Sequence, residues 1–161
     1  MITRKKYEEP LAHQLIQITK KYLGVLADHS KDIPLERYHY TLLLIDENNE
    51  SLTQKEIANL LQVDKSFMVN MIDYLENNGF VIRKTNNNDR RQYLIKLTEK
   101  SKGILPQINQ VFVAVNQKAL KSLSQNTVNC FFEVLETLQN NLKGVNINDI
   151  KLDYKNLKSK G

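Results

Sequence analysis

The stretch from Leu52 to Gly103 constrains this chain more than any other, because its local signals admit few arrangements. Thr53 with Glu56 three residues later fits a capping box, in which each side chain satisfies a free backbone N–H of the other. Leu52 and Ile57 bracket the cap as a hydrophobic staple, and Ile57, Ala58 and Leu61 share one helical face. The apolar run breaks at Gln62, and Asp64 offers a second N-cap. Met68, Met71, Ile72 and Leu75 then recur at helical spacing and predict an inward face. Asn77-Asn78-Gly79 closes that helix, with Gly79 free to take the left-handed conformation. Two short capped helices joined by a tight turn make a helix-turn-helix.

The next residues add a hairpin. Phe80–Lys84 and Gln92–Leu97 are rich in β-branched, aromatic and other apolar residues and read as two strands. Thr85 to Arg91 between them is asparagine-rich and basic, which suits a turn. Thr98 then caps a further helix. A basic-tipped hairpin directly after a helix-turn-helix is a winged helix, and Ser51-Leu52 is placed to add a short strand beside it.

The flanks are helical. Leu11, Leu15, Ile18, Tyr22 and Val25 form a stripe after Pro10, which suits a helix's first turn. A second helix is expected to restart at Pro34-Leu35-Glu36 and to carry Tyr38, Leu42, Leu43 and Ile45. After Thr98, Ile104, Ile108, Val111, Phe112, Val115 and Ala119 follow the helical period, with Pro106 predicted to kink or divide the run. Ser124 caps a last helix striped by Val128, Phe131, Phe132, Leu135, Leu138 and Leu142, and Lys143-Gly144 ends it. Met1 to Glu9 is charged and expected to fray or to pack only on a partner subunit. The residues after Gly144 are expected to form a short irregular extension with a basic cluster, Lys151, Lys155, Lys158 and Lys160.

Leu52–Ala58, Asp64-Lys65-Ser66, Leu75-Glu76 to Gly79, Asp89-Arg90-Arg91 and Leu97-Thr98-Glu99-Lys100, in this order and spacing, resemble the MarR family of bacterial transcription regulators. The close resemblance covers about a third of the chain. Two positions depart from the family pattern: Gln62 and Ser101 stand where glycine is usual. A positive φ at Gln62 would cost roughly 1 kcal/mol.

The fold expected is mainly α with a small β wing, a winged helix-turn-helix flanked by long dimerisation helices. It forms one domain over 1–161: a DNA-binding part at 35–100, helical dimerisation parts at 8–30 and 101–143, and an extension at 144–161. The resemblance implies that the first and last helices of two chains interlock, so the expected partners are a second copy and double-stranded DNA. A two-fold dimer suits a pseudo-palindromic operator. The implied role is a sequence-specific regulator, a repressor, with room for release by a small-molecule effector. Two other readings stay open, a winged-helix protein-interaction scaffold and a non-specific DNA architectural protein.

The helix from Lys65 to Asn78 is the expected recognition helix, since an α-helix fits the major groove. Lys65 and Ser66 suit phosphate, Asn70 suits adenine, and Val69 suits a thymine methyl. Asp73 suits cytosine or an orienting bond to a neighbouring arginine. Phe67 is expected at the core edge. Arg90 and Arg91 suit a narrow minor groove, and Asp89 is expected to hold Arg91, as the family's Asp-x-Arg spacing implies. Arg83 and Lys84 read as phosphate contacts or solvated strand residues. An effector pocket is expected to draw on His13, Tyr22, Arg37, Tyr38 and His39 if their helices meet across a dimer seam, with Arg37 holding an anion.

Other chemistries find little support. No glycine-rich phosphate loop, His-x-x-x-His pair or Gly-x-Ser-x-Gly elbow is present, so no enzymatic activity is expected. The three histidines lack ligand spacing, and no metal or other cofactor is expected. The single cysteine, Cys130, lies on or beside the last apolar stripe and is expected to be inert, whereas redox-sensing family members carry theirs in the first helix. A net charge of +5 is compatible with a polyanionic partner. No run is apolar enough to span a membrane, and a cytoplasmic location is expected.

Overall fold

The structure is a computed structural model and describes residues 10–145 and 147. The expectations for the N-terminal residues before Pro10 and for the basic tail lie outside the described residues. The elements run α1 (Leu11–His29), α2 (His39–Glu47), α3 (Gln54–Leu61), α4 (Lys65–Asn77), β1 (Val81–Thr85), β2 (Tyr93–Leu97), α5 (Glu99–Ala119) and α6 (Gln125–Asn141). Each strand begins one residue later than the apolar run, because Phe80 is spent on leaving α4 and Gln92 on closing the hairpin tip.

Local capping explains most boundaries. The Thr53–Glu56 box is complete: the Glu56 N–H donates to Thr53 Oγ1 at 3.2 Å, and the Thr53 N–H donates to Glu56 Oε2 at 2.7 Å. Asp64, Thr98 and Ser124 cap α4, α5 and α6 through the N–H three residues on. At the end of α3, Val63 N–H bonds to Ala58 O and Gln62 N–H to Asn59 O, a Schellman motif with Gln62 in the left-handed region at φ 52°. α4 ends in the same way at Gly79, φ 75°. Gln62 therefore carries the strain that Gly79 avoids.

The core gathers under the winged helix. Leu42 and Ile45 of α2, Ile57 of α3, Met68, Met71, Ile72 and Leu75 of α4, Phe80, Val81, Ile95 and Leu97 around the hairpin, and Ile108 of α5 are buried together. The two strands pair antiparallel, Val81 opposite Leu97 and Thr85 opposite Tyr93. Ser51-Leu52 does not form a strand. Instead Thr53 makes a single bridge to Leu94, and Leu52 O accepts from Ile95 N–H at 3.0 Å.

Several expectations need correction. α2 begins at His39 rather than at Pro34, because Tyr38 sits in the left-handed region (φ 70°, ψ 24°) and breaks any helix started upstream. Pro10 caps α1 from outside its first turn. α5 runs continuously through Pro106. Its buried face includes Leu105 and Ser101, whose hydroxyl donates to Phe80 O, while Ala119 is exposed. A serine at this position thus ties α5 to the start of the hairpin, a bond that glycine could not make. Cys130 is exposed in the single chain.

The terminal helices contrast with this core. α1 and α6 bury no residue. Leu11, Leu15, Ile16, Ile18, Phe131, Phe132 and Leu142 are exposed apolar side chains along them. The stripes are present as the periodicity predicts; Tyr22, Val25, Val128, Leu135 and Leu138 are half-buried in the single chain, and the other stripe residues lie in water.

Candidate nucleic-acid interface

Helical periodicity sorts α4 into a buried face and three outward sectors. Met68, Met71, Ile72 and Leu75 point into the core. Advancing about 100° per residue puts Ser66, Asn70 and Asp73 opposite them. Val69 and Glu76 share one flank, and Phe67 and Tyr74 share the other. Lys65, Ser66 and Asn70 are exposed; Val69 and Asp73 are half-buried. Phe67 is 40% exposed with its ring edge-on to Tyr38, so it lies at the rim rather than in the core.

Arg83 has a different place from the one expected. Its guanidinium is taken up by partners on α4 and α3, with the side chain 22% exposed. Nη2 donates to Asp73 Oδ1 at 2.5 Å and to Gln54 Oε1 at 3.4 Å, and Nη1 pairs with Glu76. The Arg83 N–H also donates to Glu76 Oε1 at 3.1 Å. One side chain on β1 thereby joins the outer face of α4 to the start of α3. Of the two roles open to Asp73, the structure shows the orienting bond to an arginine. Glu76 and Gln54 are absent from the sequence-predicted site. A signal for Glu76 exists, since Asp73 and Glu76 are spaced to lie adjacent on a helix surface with a basic strand following.

The wing tip is built from side-chain-to-backbone bonds. Asn88 N–H donates to Asn86 Oδ1 at 2.9 Å, Arg91 N–H to Asp89 Oδ1 at 3.0 Å, and Gln92 Nε2 to Asp89 Oδ2 at 2.8 Å. Asp89 does hold Arg91, but through the backbone amide and not through the guanidinium. Among the described residues, no carboxylate forms an ion pair with Arg90 or Arg91, and both are exposed. Lys84 is exposed on β1. Lys96 is committed to Glu50 O.

The five residues expected to line an effector pocket do not converge within one chain. His13 bonds to Gln17 on the exposed side of α1. Tyr22 donates to Asn116 Oδ1 at 2.7 Å, and burial pushes its phenol up from the usual value. His39 is buried and its Nε2–H donates to Leu35 O at 2.6 Å; burial holds its pKa below the usual value, against the opposing pull of that carbonyl. Arg37 lies over Tyr38 and Tyr74, at 5.2 and 4.3 Å from the ring centroids. Tyr22 borders a cavity of about 220 Å³ between α1 and α5, lined also by Ile18, Lys21, Val25, Val115, Lys118 and Ala119. Among the described residues no cluster of His, Cys, Asp or Glu is arranged to hold a metal ion, and no helix is long and apolar enough to cross a membrane.

With this geometry in place, residues 35–93 match the sequence model of the MarR family. The chain carries a MarR-family domain. Solved structures extend the likeness beyond the matched residues. A MarR-family transcriptional regulator from Listeria monocytogenes, complexed with a 26mer DNA, superposes with a TM-score of 0.76 at 24% identity, covering 83% of this chain and 89% of that one. A mutant MarR from E. coli complexed with operator DNA gives 0.72 at 25% identity, covering 80% and 93%. A MarR transcriptional regulator from Methanosarcina mazei gives 0.71 at 18% identity, covering 81% and 94%. The fold is the winged-helix fold of the MarR regulators, with α1, α5 and α6 added around the matched domain.

Proposed function

We propose that this chain is a sequence-specific DNA-binding transcription regulator, a repressor, that acts as a homodimer on a pseudo-palindromic operator. One observation carries the reading. The outward face of α4 offers exposed Lys65, Ser66 and Asn70, and the adjacent hairpin presents Arg90 and Arg91 with guanidiniums that no described carboxylate neutralises. Lys65 and Ser66 stand at the N-terminal end of α4, where free N–H groups favour a phosphate. Asn70 suits the bidentate adenine contact and Val69 a thymine methyl. Arg90 and Arg91 suit the minor groove beside it, on a tip ordered by Asp89, and Lys84 suits backbone phosphate. Arg83 and Asp73 serve as the brace between helix and wing. The Listeria and E. coli structures, each bound to DNA, support the assignment.

The dimer is part of the proposal. Apolar stripes on α1 and α6 in which Leu11, Leu15, Ile18, Phe131 and Phe132 stay exposed within one chain suit a matching copy. Two recognition helices about 34–36 Å apart would then meet successive major grooves. Release by a small organic anion belongs to the same reading, with the cavity between α1 and α5 as its seat: its walls are hydrocarbon, and Lys21 and Lys118 supply charge.

The test separates base reading from phosphate binding. Asn70→Ala should lose most of the preference for operator over random duplex, by about tenfold or more, while keeping the weak general binding. Arg91→Ala should weaken operator binding. Wild-type discrimination and affinity in both variants would refute the interface.

A further inference from the structure

We propose that Arg37 is a further phosphate-binding side chain, set on the flank of the recognition helix opposite the wing. The inference rests on the DNA-binding reading above and adds a contact that neither α4 nor the hairpin supplies. The wing attaches to one flank of α4 through Arg83, which pairs with Glu76 and Asp73. The other flank is marked by Phe67 and Tyr74, and here the turn before α2 packs. Tyr38 stands edge-on to Tyr74 with centroids 5.5 Å apart and edge-on to Phe67 at 6.2 Å. Its left-handed backbone, φ 70°, folds the chain so that Arg37 lies over the Tyr74 and Tyr38 rings. A non-glycine residue held in that region is retained only where surrounding contacts fix it.

The result is a cation with a fixed position and an open face. Arg37 is exposed, and among the described residues it forms no ion pair. Stacking immobilises the guanidinium over Tyr74 while leaving N–H donors for a further ligand, so little freedom is lost when it binds. A major groove about 12 Å wide is bounded by phosphates on both sides of an inserted helix. The wing reaches past one edge. Arg37, beside the Tyr74 flank, is placed for the phosphates of the other edge. The chemistry recognised is the phosphodiester, not a base, so the contact positions the helix without reading sequence.

The experiment is a titration of Arg37→Gln and wild type on operator and random duplexes, by fluorescence anisotropy, between roughly 50 and 200 mM salt. Every phosphate that the protein ceases to neutralise makes the slope of log K against log salt shallower by about 0.9, so a complex of two variant chains should have a slope shallower by about 1.8. Affinity should fall on both duplexes in proportion, leaving their ratio unchanged. Arg37→Lys, which keeps the charge but not the planar stack, should keep the wild-type slope with a lower affinity. A wild-type slope in Arg37→Gln, with or without a lower melting temperature, would overturn the proposal and leave the DNA-binding reading intact. Wild-type protein that binds neither duplex would overturn both.

Discussion

Deleting the guanidinium of Arg83 should uncouple the recognition helix from the wing. Arg83→Met keeps much of the side chain's packing length and removes the charge. It strands Asp73 and Glu76 on the outward side of α4. The Arg83 side chain is 22% exposed, Glu76 35% and Asp73 48%. Fully exposed pairs contribute about 0–1 kcal/mol. Breaking a fully buried pair costs about 3–5 kcal/mol. The Arg83 pairs lie between these limits, and solvent discounts the Asp73 bond more than the Glu76 bond. We expect a destabilisation of about 2 kcal/mol, lowering the melting temperature by about 4–8 °C for a chain of this size. Two unpaired carboxylates facing phosphate, together with a looser wing, should weaken operator binding by about tenfold or more. The assay is a double-mutant cycle of Arg83→Met with Glu76→Gln, read by thermal melting and by anisotropy. A coupling of about 1 kcal/mol or more in stability supports the brace, and additivity within about 0.3 kcal/mol would refute it.

Other consequences follow from single residues. His39 keeps its pKa below 6.5 in the fold, so the unfolded chain takes up a proton first; its stabilising contribution is present above pH 6.5 and is lost as pH falls below that value. His39→Gln should flatten the acid limb of a melting-temperature profile between about pH 7 and 5, and an unchanged profile would contradict the assignment. Gln62→Gly should relieve the left-handed strain at φ 52° and stabilise the chain by up to about 1 kcal/mol, net of glycine's added unfolded-state freedom; a lower melting temperature would count against strain there. Phe132→Asp on α6 should convert a dimer to a monomer in light scattering, with helix content preserved; a persistent dimer would place the interface elsewhere.

What the sequence discloses is mostly local. Thr53–Glu56, Asp64, Thr98 and Ser124 act through N–H groups within three residues, so their type and spacing announce the helix starts. The buried face of α4 is legible because its period is unbroken. The start of α2 is not. Pro34-Leu35-Glu36 has the composition of a helix opening, but the break at Tyr38 is held by rings on α4 that lie far along the chain. Arg83 looks like a surface cation in the sequence because its partners lie on other elements, Asp73 and Glu76 on α4 and Gln54 on α3. The five residues of the expected effector pocket lie apart within one chain for a related reason. Tyr22, Arg37 and His39 are close in the chain, yet the turn ahead of α2 sends them to α5, to Tyr74 and into the core respectively. The basic character of the wing tip is evident from its residues alone. That Asp89 orders it through the Arg91 amide emerges only from the folded loop.

The central claim is that this winged helix reads DNA sequence as a two-fold pair. The most direct test measures binding of the purified protein to its own upstream DNA and to a random duplex of equal length across a salt series. The account predicts a strong preference for one symmetric site, of about a thousandfold or more, that persists at moderate salt. Equal affinity for both duplexes, collapsing together as salt rises, would leave only attraction to phosphate and would contradict it.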